Sequence, residues 1–377
     1  MLGIEEKVAV RNNVIEVAIV HQKKLFGVAL DPSDDPWSLG LKQAWMMRAG
    51  EGLEADPSFL DPYDAVVDTF ESLLCNCGIE PAGKFPVPSW LWPKSEQEDF
   101  PLVNVENIGS FYDRGGLTEI IRQLQDFVEN KILPARPIML GIDHSATMGV
   151  ISTLAKKYNP EKLSVIVLDQ HFDALPVSIR VAEAAAVTSS TRVGWPSSFP
   201  SLYLAGKDHL SCGNFWAYLI DEGNVRPENL SFIGVMDYPT HARPGNSIFQ
   251  KSYLSFEARG CSFFPAEQFQ GQYLDSLTRF ISKGIRTPYI YVSMDLDVGS
   301  FTSILAARHM DRPGLNAENI LDVAHQIRKV CQSKTAELVG FDVMEFNMHF
   351  LGLETDEGIK DTTLSLVGDF IKTLSAP

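Results

Sequence analysis

Short apolar segments that end abruptly in polar residues constrain the fold of this chain most strongly. Each has the length and composition of a strand that is buried on both faces of a parallel sheet. Five such segments are evident, at residues 137–142, 163–168, 230–236, 289–294 and 338–344. Amphipathic stretches with helical periodicity lie between some of them, at residues 116–133, 146–158 and 316–332. The alternation predicts an α/β fold in which helices cover both faces of a mostly parallel sheet.

Two long regions do not follow this pattern. Residues 176–211 are rich in Ser, Pro and small residues and separate two predicted strands, which indicates a long surface loop over the strand ends. Residues 79–105 contain several prolines and two tryptophans, so they cannot form one regular element, and we assign them no function. We expect a single domain over residues 1–377, with the loop at about residues 176–211 inserted into it.

Charge and hydropathy exclude several classes of partner. The formal net charge is -16, and no cluster of Lys and Arg is present that could bind a phosphate backbone, so nucleic acid is not an expected partner. The surplus of carboxylates suits a cationic ligand or bound metal ions better. No segment has the uninterrupted apolar length of a membrane span, and the first residues lack the pattern of a secretory signal. We therefore expect a cytoplasmic protein with no membrane partner.

The most informative polar cluster follows the predicted strand at residues 163–168. The segment DQHFD places Asp169, His171 and Asp173 at alternate positions, and an extended backbone directs alternate side chains to the same side. Three potential ligands on one side suit chelation of a metal ion. The alternative is a solvated loop that carries two acids and a histidine, and this segment alone does not decide between the two.

A second cluster, SMDLD, follows the predicted strand at residues 289–294. Asp295 and Asp297 lie two residues apart on one face, and two adjacent buried carboxylates need protons or cations to offset their repulsion and lost hydration. A metal ion is the simplest compensation. His144, in GIDHS, adds an imidazole at a third strand end, although a lone histidine there can equally be a hydrogen-bonded structural residue. Asp143 beside it is left out of the ligand set, because either Asp143 or Ser145 is expected to cap the following helix.

The combined ligand set indicates a dinuclear site. Two imidazoles and four carboxylates, with no thiolate, suit Mn²⁺ or a related divalent ion better than structural zinc. Six side chains are too many for one catalytic ion that keeps open positions, but they fit two ions that share bridging carboxylates. Such a pair of ions activates water at neutral pH, so the expected reaction is hydrolysis. The predicted metal ligands are His144, Asp169, His171, Asp173, Asp295 and Asp297.

These motifs resemble those of a known family. GIDHS, DQHFD and SMDLD are similar, in order and spacing, to the three metal-binding motifs of the ureohydrolases, the superfamily of arginases, agmatinases and formiminoglutamases. The segment GFDVMEFN resembles a fourth motif, whose glutamate binds the guanidinium group of the substrate, which assigns that role to Glu345. The similarity extends from about Phe26 to near the C-terminus. It implies an arginase-like, three-layer α/β/α fold and a homo-oligomer, either a trimer or a hexamer.

The resemblance also implies an arrangement of the site. One Mn²⁺ would bind His144, Asp169, Asp173 and Asp295. The second Mn²⁺ would bind Asp169, His171, Asp295 and Asp297, so that two aspartates bridge. Asp173 or Asp297 would orient the attacking water, and Glu345 would position a cationic guanidino or amidine substrate. The expected function is a dinuclear manganese hydrolase that cleaves a linear carbon–nitrogen bond of a guanidino compound and releases urea, as arginases and agmatinases do.

The usual proton-shuttle position departs from the pattern of the family. Family members carry a histidine there, and alignment of CGNFWAYLIDEG with that segment places Cys212 at this position. A thiol is a poor substitute at neutral pH unless its pKa is lowered. His209 and His241 are alternative candidates, although each can equally be an ordinary hydrogen-bonded histidine.

Two loops depart as well. The loop after DQHFD begins with Leu175 and Pro176 and lacks the polar groups that hold the amino-acid end of the substrate in arginases, so arginine is not the expected substrate. After SMDLD, the segment VGSFTSILAARHMDRPGL introduces three cationic or titratable residues, Arg308, His309 and Arg312. These residues either recognise an anionic end of the substrate or are simply solvated.

Two other functions stay open on the sequence alone. The same metal pair could hydrolyse a formimino group or an amide, because it activates water whatever the electrophile. Alternatively, the chain could be a non-catalytic relative that keeps its metals for stability and uses residues 176–211 to bind a partner. A turnover assay separates these possibilities, whereas metal content does not.

Overall fold

Eight parallel strands form the centre of the molecule. The computed structural model describes residues 22–51, 59–176, 178–179, 208–236, 238–239, 248–310, 312–354 and 358–376. The strands are β1 (Lys23–Val28), β2 (Ile79–Lys84), β3 (Arg136–Gly141), β4 (Leu163–Leu168), β5 (Leu230–Ile233), β6 (Ser262–Phe264), β7 (Tyr289–Asp295) and β8 (Glu337–Met344). They form one sheet in the order β2-β1-β3-β8-β7-β4-β5-β6, and each pair of neighbours is parallel.

The four middle strands of this sheet are the ones whose ends carry the predicted site. Strands β3, β8, β7 and β4 are consecutive neighbours. Parallel strands bring their carboxyl ends to the same edge of a sheet, so the residues that follow these four strands meet there. The five strands predicted from the sequence are confirmed as β3, β4, β5, β7 and β8.

The other three strands are not predicted from the sequence, for physical reasons that differ. Strand β2 is an outer strand with largely exposed side chains and a proline at Pro81, so it lacks the apolar run of a buried strand. Strand β6 at the opposite edge has only three residues. Strand β1 begins with Lys23 and Lys24, whose ammonium groups donate to main-chain carbonyl oxygens of Cys77 and Lys131, among others.

Helices cover both faces of the sheet. Within the described residues they are α1 (Pro36–Gly50), α2 (Pro62–Asn76), α3 (Val105–Asp113), α4 (Gly116–Phe127), α5 (Thr147–Tyr158), α6 (Phe215–Asp221), α7 (Ile248–Ala258), α8 (Leu274–Gly284), α9 (Ala317–Lys334) and α10 (Thr363–Ser375). Buried residues form two apolar cores, one on each side. Alternation along a strand divides its side chains between them: Val165 and Val167 of β4 belong to one core, whereas Ile166 and Leu168 belong to the other. The predicted three-layer α/β/α fold is confirmed.

The three helices predicted from periodicity are also confirmed, as α4, α5 and α9. Helix α4 ends at Phe127, and Val128–Ile132 continue it as one π-helical turn. The region at residues 79–105 contains β2 and two 3-10 turns, Ser89–Leu91 and Gln97–Leu102. Most of the predicted loop at residues 176–211 lies outside the described residues, so the single domain with this insertion stays a prediction. No helix in the described part of the chain is long and apolar enough to cross a bilayer.

An aromatic cluster anchors the loop that follows β4. The ring of Phe172 stacks on Tyr253 at 4.6 Å between centroids. It also meets Phe232, Phe256 and Phe263 edge-on at 4.8 to 5.1 Å. Phe172 lies between His171 and Asp173 in the sequence, so its burial fixes the backbone that carries two predicted ligands.

We expect Phe172→Ala to lower the free energy of unfolding by about 3 to 5 kcal/mol, because it removes a buried ring and leaves a cavity. Urea denaturation of the purified protein measures this change. Phe100→Ala is the matched control, since Phe100 is 41% exposed, and it should cost less than about 1 kcal/mol. Equal effects of the two substitutions would contradict the anchoring role of Phe172.

Candidate metal centre

His144 lies at the carboxyl end of β3, in a 3-10 turn, and is completely buried. Asp143 caps this turn and not the following helix, because its Oδ1 accepts from the backbone N–H of Ser145 at 3.1 Å and the helix begins after Ala146. The Nδ1 atom of His144 points at three carboxylates. It lies 3.0 Å from Asp295, 3.3 Å from Asp173 and 3.5 Å from Asp169.

The loop after β4 carries the next three residues. Asp169 directly follows the strand, and its Oδ1 accepts from the backbone N–H of His171 at 2.6 Å, which leaves Oδ2 directed at the other acids. The Nδ1 of His171 lies 2.6 Å from Oδ2 of Asp297. Asp173 has a φ of +45°, a strained value for a residue with a side chain, and its carbonyl oxygen accepts from the N–H of Trp216.

The end of β7 supplies the two remaining acids. Asp295 is the last residue of the strand, and its Oδ1 accepts from the backbone N–H of Asp297 at 2.8 Å. Oδ1 of Asp297 in turn accepts from the backbone N–H of Gln170 at 3.0 Å. The loops after β4 and β7 are thus tied together by backbone donors, which fix the directions of the carboxylates.

The six predicted ligands fall into two adjoining groups. Within each group, ligand atoms lie within 4.8 Å of one another. The first group contains His144, Asp169, Asp173 and Asp295, the set expected for one ion. The second contains Asp169, His171 and Asp297, so Asp169 belongs to both groups. Asp295, expected to bridge as well, is part of the first group only.

Burial and mutual repulsion disfavour the charged forms of the clustered acids. Burial raises the pKa of Asp295 to about 7, and the charge of Asp297 adds to the shift. The pKa of Asp169 is raised well above its ordinary value by burial and by Asp173, Asp295 and Asp297. Each carboxylate therefore opposes ionisation of the others, and positive charge among them would relieve the repulsion.

Two observations fit a divalent ion at this point. The buried atoms Nδ1 of His144 and Oδ2 of Asp169 make no hydrogen bond within the described structure. The other ring nitrogen of His144, Nε2, lies 2.9 Å from Oγ of Ser293, and that hydroxyl donates to Oδ1 of Asp342 at 2.6 Å. Because the hydroxyl proton is committed to Asp342, Ser293 accepts from Nε2–H, and Nδ1 is the ring nitrogen that faces the acids and would bind an ion. Nitrogen and oxygen donors in this arrangement suit Mn²⁺ and similar ions.

The residues that orient His144 were missed from the sequence. Asp342 is completely buried and accepts hydrogen bonds from Ser293, Tyr291 and Thr147. The signal for it was an acid in the middle of the otherwise apolar segment LVGFDVM, because a buried carboxylate requires polar partners.

Glu345 follows β8 and is buried, with a positive φ of +65°. Its Oε1 accepts from the backbone N–H of His144 at 2.9 Å. Its Oε2 lies 3.4 Å from Nη1 of Arg308. Arg308 is only 7% exposed, so the expectation that it is solvated is wrong. The carboxylates that surround its guanidinium group offset the cost of burying this charge.

The two described proton-shuttle candidates, Cys212 and His209, have different surroundings. Cys212 lies with Asp143 and Glu345 in a third group of potential ligands, but burial and these two acids raise the pKa of its thiol well above the ordinary value. A thiol in that state carries its proton at neutral pH and is a poor base. His209 instead pairs with Asp113 at 3.1 Å and belongs to none of the ligand groups found in the described residues. His241 lies outside the described residues.

Comparison with known proteins identifies the family. A family model described as the Arginase family matches residues 81–359. The chain belongs to the arginase family. No curated protein matches its sequence.

Several solved structures have the same fold as this chain. Proclavaminate amidino hydrolase from Streptomyces clavuligerus has 16% identity and a TM-score of 0.54, with 94% of this chain and 92% of that chain covered. Arginase from Bacillus caldovelox has 16% identity and a TM-score of 0.54, with coverage of 95% and 99%. Formimidoylglutamase from Bacillus subtilis has 13% identity and a TM-score of 0.51, with coverage of 94% and 86%. At these identities the similarity shows a shared fold.

We expect Ser293→Ala to weaken metal binding about 10- to 100-fold, because the imidazole of His144 would lose the partner that fixes its orientation and tautomer. Calorimetric titration with Mn²⁺ measures the change. The matched control is Ser276→Ala, whose hydroxyl donates to a carbonyl oxygen at the start of helix α8, and its affinity should equal that of the wild type. Unchanged affinity in Ser293→Ala would show that Ser293 does not orient His144.

The metal-free protein should show a pH dependence that Asp295 controls. Its pKa is about 7 in the folded state against an ordinary 3.8, so its contribution to stability is full below about pH 4 and is lost as the pH rises through 7. Asparagine resembles the protonated acid. After removal of metals, Asp295→Asn should therefore melt close to the wild type at about pH 3.5 but roughly 5 °C above it at pH 8. A wild type that is more stable than the variant at pH 8 would contradict this reasoning.

Proposed function

We propose that the chain is a metal-dependent hydrolase that binds two divalent ions, Mn²⁺ or a similar ion, and cleaves a linear carbon–nitrogen bond. The observation that carries the proposal is the pair of adjoining ligand groups that share Asp169. The proposed ligands are His144, Asp169, His171, Asp173, Asp295 and Asp297. The solved structures with this fold are named for hydrolysis of guanidino, amidino or formimino groups, which supports the same reaction class here.

The residues around the site would have different roles in the proposed reaction. When bound, the two ions would polarise water and lower its pKa, so that a nucleophile forms at neutral pH. Asp173, which is largely buried and strained, would orient the water by accepting a hydrogen bond, as would Asp297. The hydrogen bond from Ser293 to Asp342 would keep His144 in the tautomer that leaves Nδ1 free to bind metal.

Two substrate classes are candidates. The first is a guanidino or amidine compound, as implied by the family motif that contains Glu345. The second is an uncharged amide, and one observation favours it: the carboxylate of Glu345 already has a cationic neighbour, Arg308, at 3.4 Å. A homo-oligomer stays a prediction for either class, as does the non-catalytic relative described above.

A panel of substrates tests the proposal. Mn²⁺-loaded protein should hydrolyse at least one member of a set that contains agmatine, guanidinobutyrate, guanidinopropionate, formiminoglutamate and simple amides, as measured by release of urea, formamide or ammonia. Asp297→Ala should lower the rate by 100-fold or more, on the order of the loss expected when a metal site is disrupted. Asp369→Ala, which removes an exposed acid from helix α10, should leave the rate unchanged.

The outcomes separate an enzyme from a non-catalytic relative. Turnover that requires metal and is lost only in Asp297→Ala would support the hydrolase. If metal-loaded protein turned over nothing in the panel while still binding two ions, the metals would serve stability alone, and the hydrolase proposal would fail.

A further inference from the structure

Arg308 is an unusual residue to find buried beside a metal centre. It lies in the segment after β7, and its guanidinium group is within 4 Å of three carboxylates. Nη1 lies 3.4 Å from Oε2 of Glu345 and 3.9 Å from Oδ2 of Asp143, and Nη2 lies 3.4 Å from Oδ1 of Asp31. The charge of Arg308 therefore offsets three buried acids, one of which, Asp143, directly precedes the proposed ligand His144.

Hydrogen bonds hold this guanidinium group in place. Nη1 donates to the carbonyl oxygen of Ile142 at 3.0 Å, and Nη2 donates to the hydroxyl of Ser33. Asp31 is itself fixed, since Lys42 lies 3.2 Å from its Oδ2 and is buried. A planar guanidinium with several directed partners is much less mobile than a solvated arginine side chain.

The backbone brings Arg308 and Glu345 together as well. The N–H of Arg308 donates to the carbonyl oxygen of Glu345 at 2.9 Å. The adjacent residues Ala307 and Phe346 form an antiparallel bridge. Backbone contacts between the two segments thus hold Arg308 beside Glu345, independently of the conformation of the arginine side chain.

The outer oxygen of Glu345 is paired with Arg308 by charge and not by a hydrogen bond within the described residues. Its Oε1 accepts from the N–H of His144, whereas Oε2 makes no hydrogen bond in the described structure and faces Arg308. A substrate cation that approached Oε2 would lie against the positive charge of Arg308. His309, at 3.9 Å from the same oxygen, would crowd it further. Like charges at such distances discriminate strongly against a ligand.

We propose that Arg308 is a specificity-determining residue, an internal guanidinium that occupies Glu345 and selects substrates whose cleaved carbon–nitrogen group is uncharged, such as an amide. This inference rests on the proposed hydrolase function for its substrate class. Whether Arg308 occupies Glu345 can be tested by ligand binding and does not require turnover.

Rescue by guanidinium ion tests the occupation of Glu345. Arg308→Ala should lose thermal stability, because three buried carboxylates lose their counter-ion. About 20 mM guanidinium chloride should raise its melting temperature by several degrees in a saturable way, relative to the same concentration of sodium chloride, since a ligand of the folded state stabilises it. The wild type and the matched control Arg312→Ala, an exposed arginine of the same segment, should show no such rise.

Further variants make the test specific. The double variant Arg308→Ala/Glu345→Gln should lose the rescue, because the carboxylate that binds the ion is gone. Arg308→Lys keeps a positive charge, so it should fold and, like the wild type, should bind guanidinium at least tenfold more weakly than Arg308→Ala in calorimetry. If Arg308→Ala fails to fold even with guanidinium present, Arg308→Lys, the wild type and Glu345→Gln still decide the matter, and none of the three should bind the ion.

Two results would overturn the proposal. One is saturable binding of guanidinium by the wild type that disappears in Glu345→Gln, which would mean that a substrate cation displaces Arg308. The other is a folded Arg308→Ala protein that guanidinium does not stabilise. In the turnover panel, hydrolysis of amides by the wild type and a shift toward guanidino substrates in Arg308→Ala would support the selectivity. If the panel shows no turnover, the proposed function fails, while the binding experiments still decide whether Arg308 occupies Glu345.

Discussion

Four carboxylates are buried against one another at the carboxyl ends of β4 and β7, and their negative charge has to be compensated. The acids are Asp169, Asp173, Asp295 and Asp297. Such a cluster is stable only when protons or cations compensate it. Nδ1 of His144 and Oδ2 of Asp169, which make no hydrogen bond to any described residue, lie 3.5 Å apart where a cation would bind. Farther from this point, the protein uses its own cations, Arg308 and Lys42, for the remaining acids.

The order of the strands explains how distant parts of the chain reach one place. Strands β3, β8, β7 and β4 are neighbours, so their ends lie in one row although the chain visits them in a different order. Backbone donors then aim the carboxylates, as Gln170 does for Asp297 and as His144 does for Glu345. His144 and His171 belong to different ligand groups, and they follow different strands, β3 and β4.

The sequence predicts the central strands and the six proposed ligands, because both depend on local patterns: an apolar run and alternate polar residues after it. It does not predict contacts that depend on tertiary structure. Arg308 and Glu345 are far apart in the sequence, and backbone pairing of their two segments brings them together. Edge strand β2 is missed because exposed edges need no apolar run. The spacing of residues along the sequence also does not fix the distances between side chains. It therefore does not predict that Asp295 belongs to one ligand group and not to both.

Anomalous diffraction from crystals grown with Mn²⁺ tests the central claim most directly, because it locates the ions without reference to activity. We predict two peaks per chain about 3.5 to 4 Å apart, one beside Nδ1 of His144 and one beside His171, with the carboxylate of Asp169 between them. A single peak, or peaks elsewhere in the molecule, would contradict a dinuclear centre at this edge of the sheet.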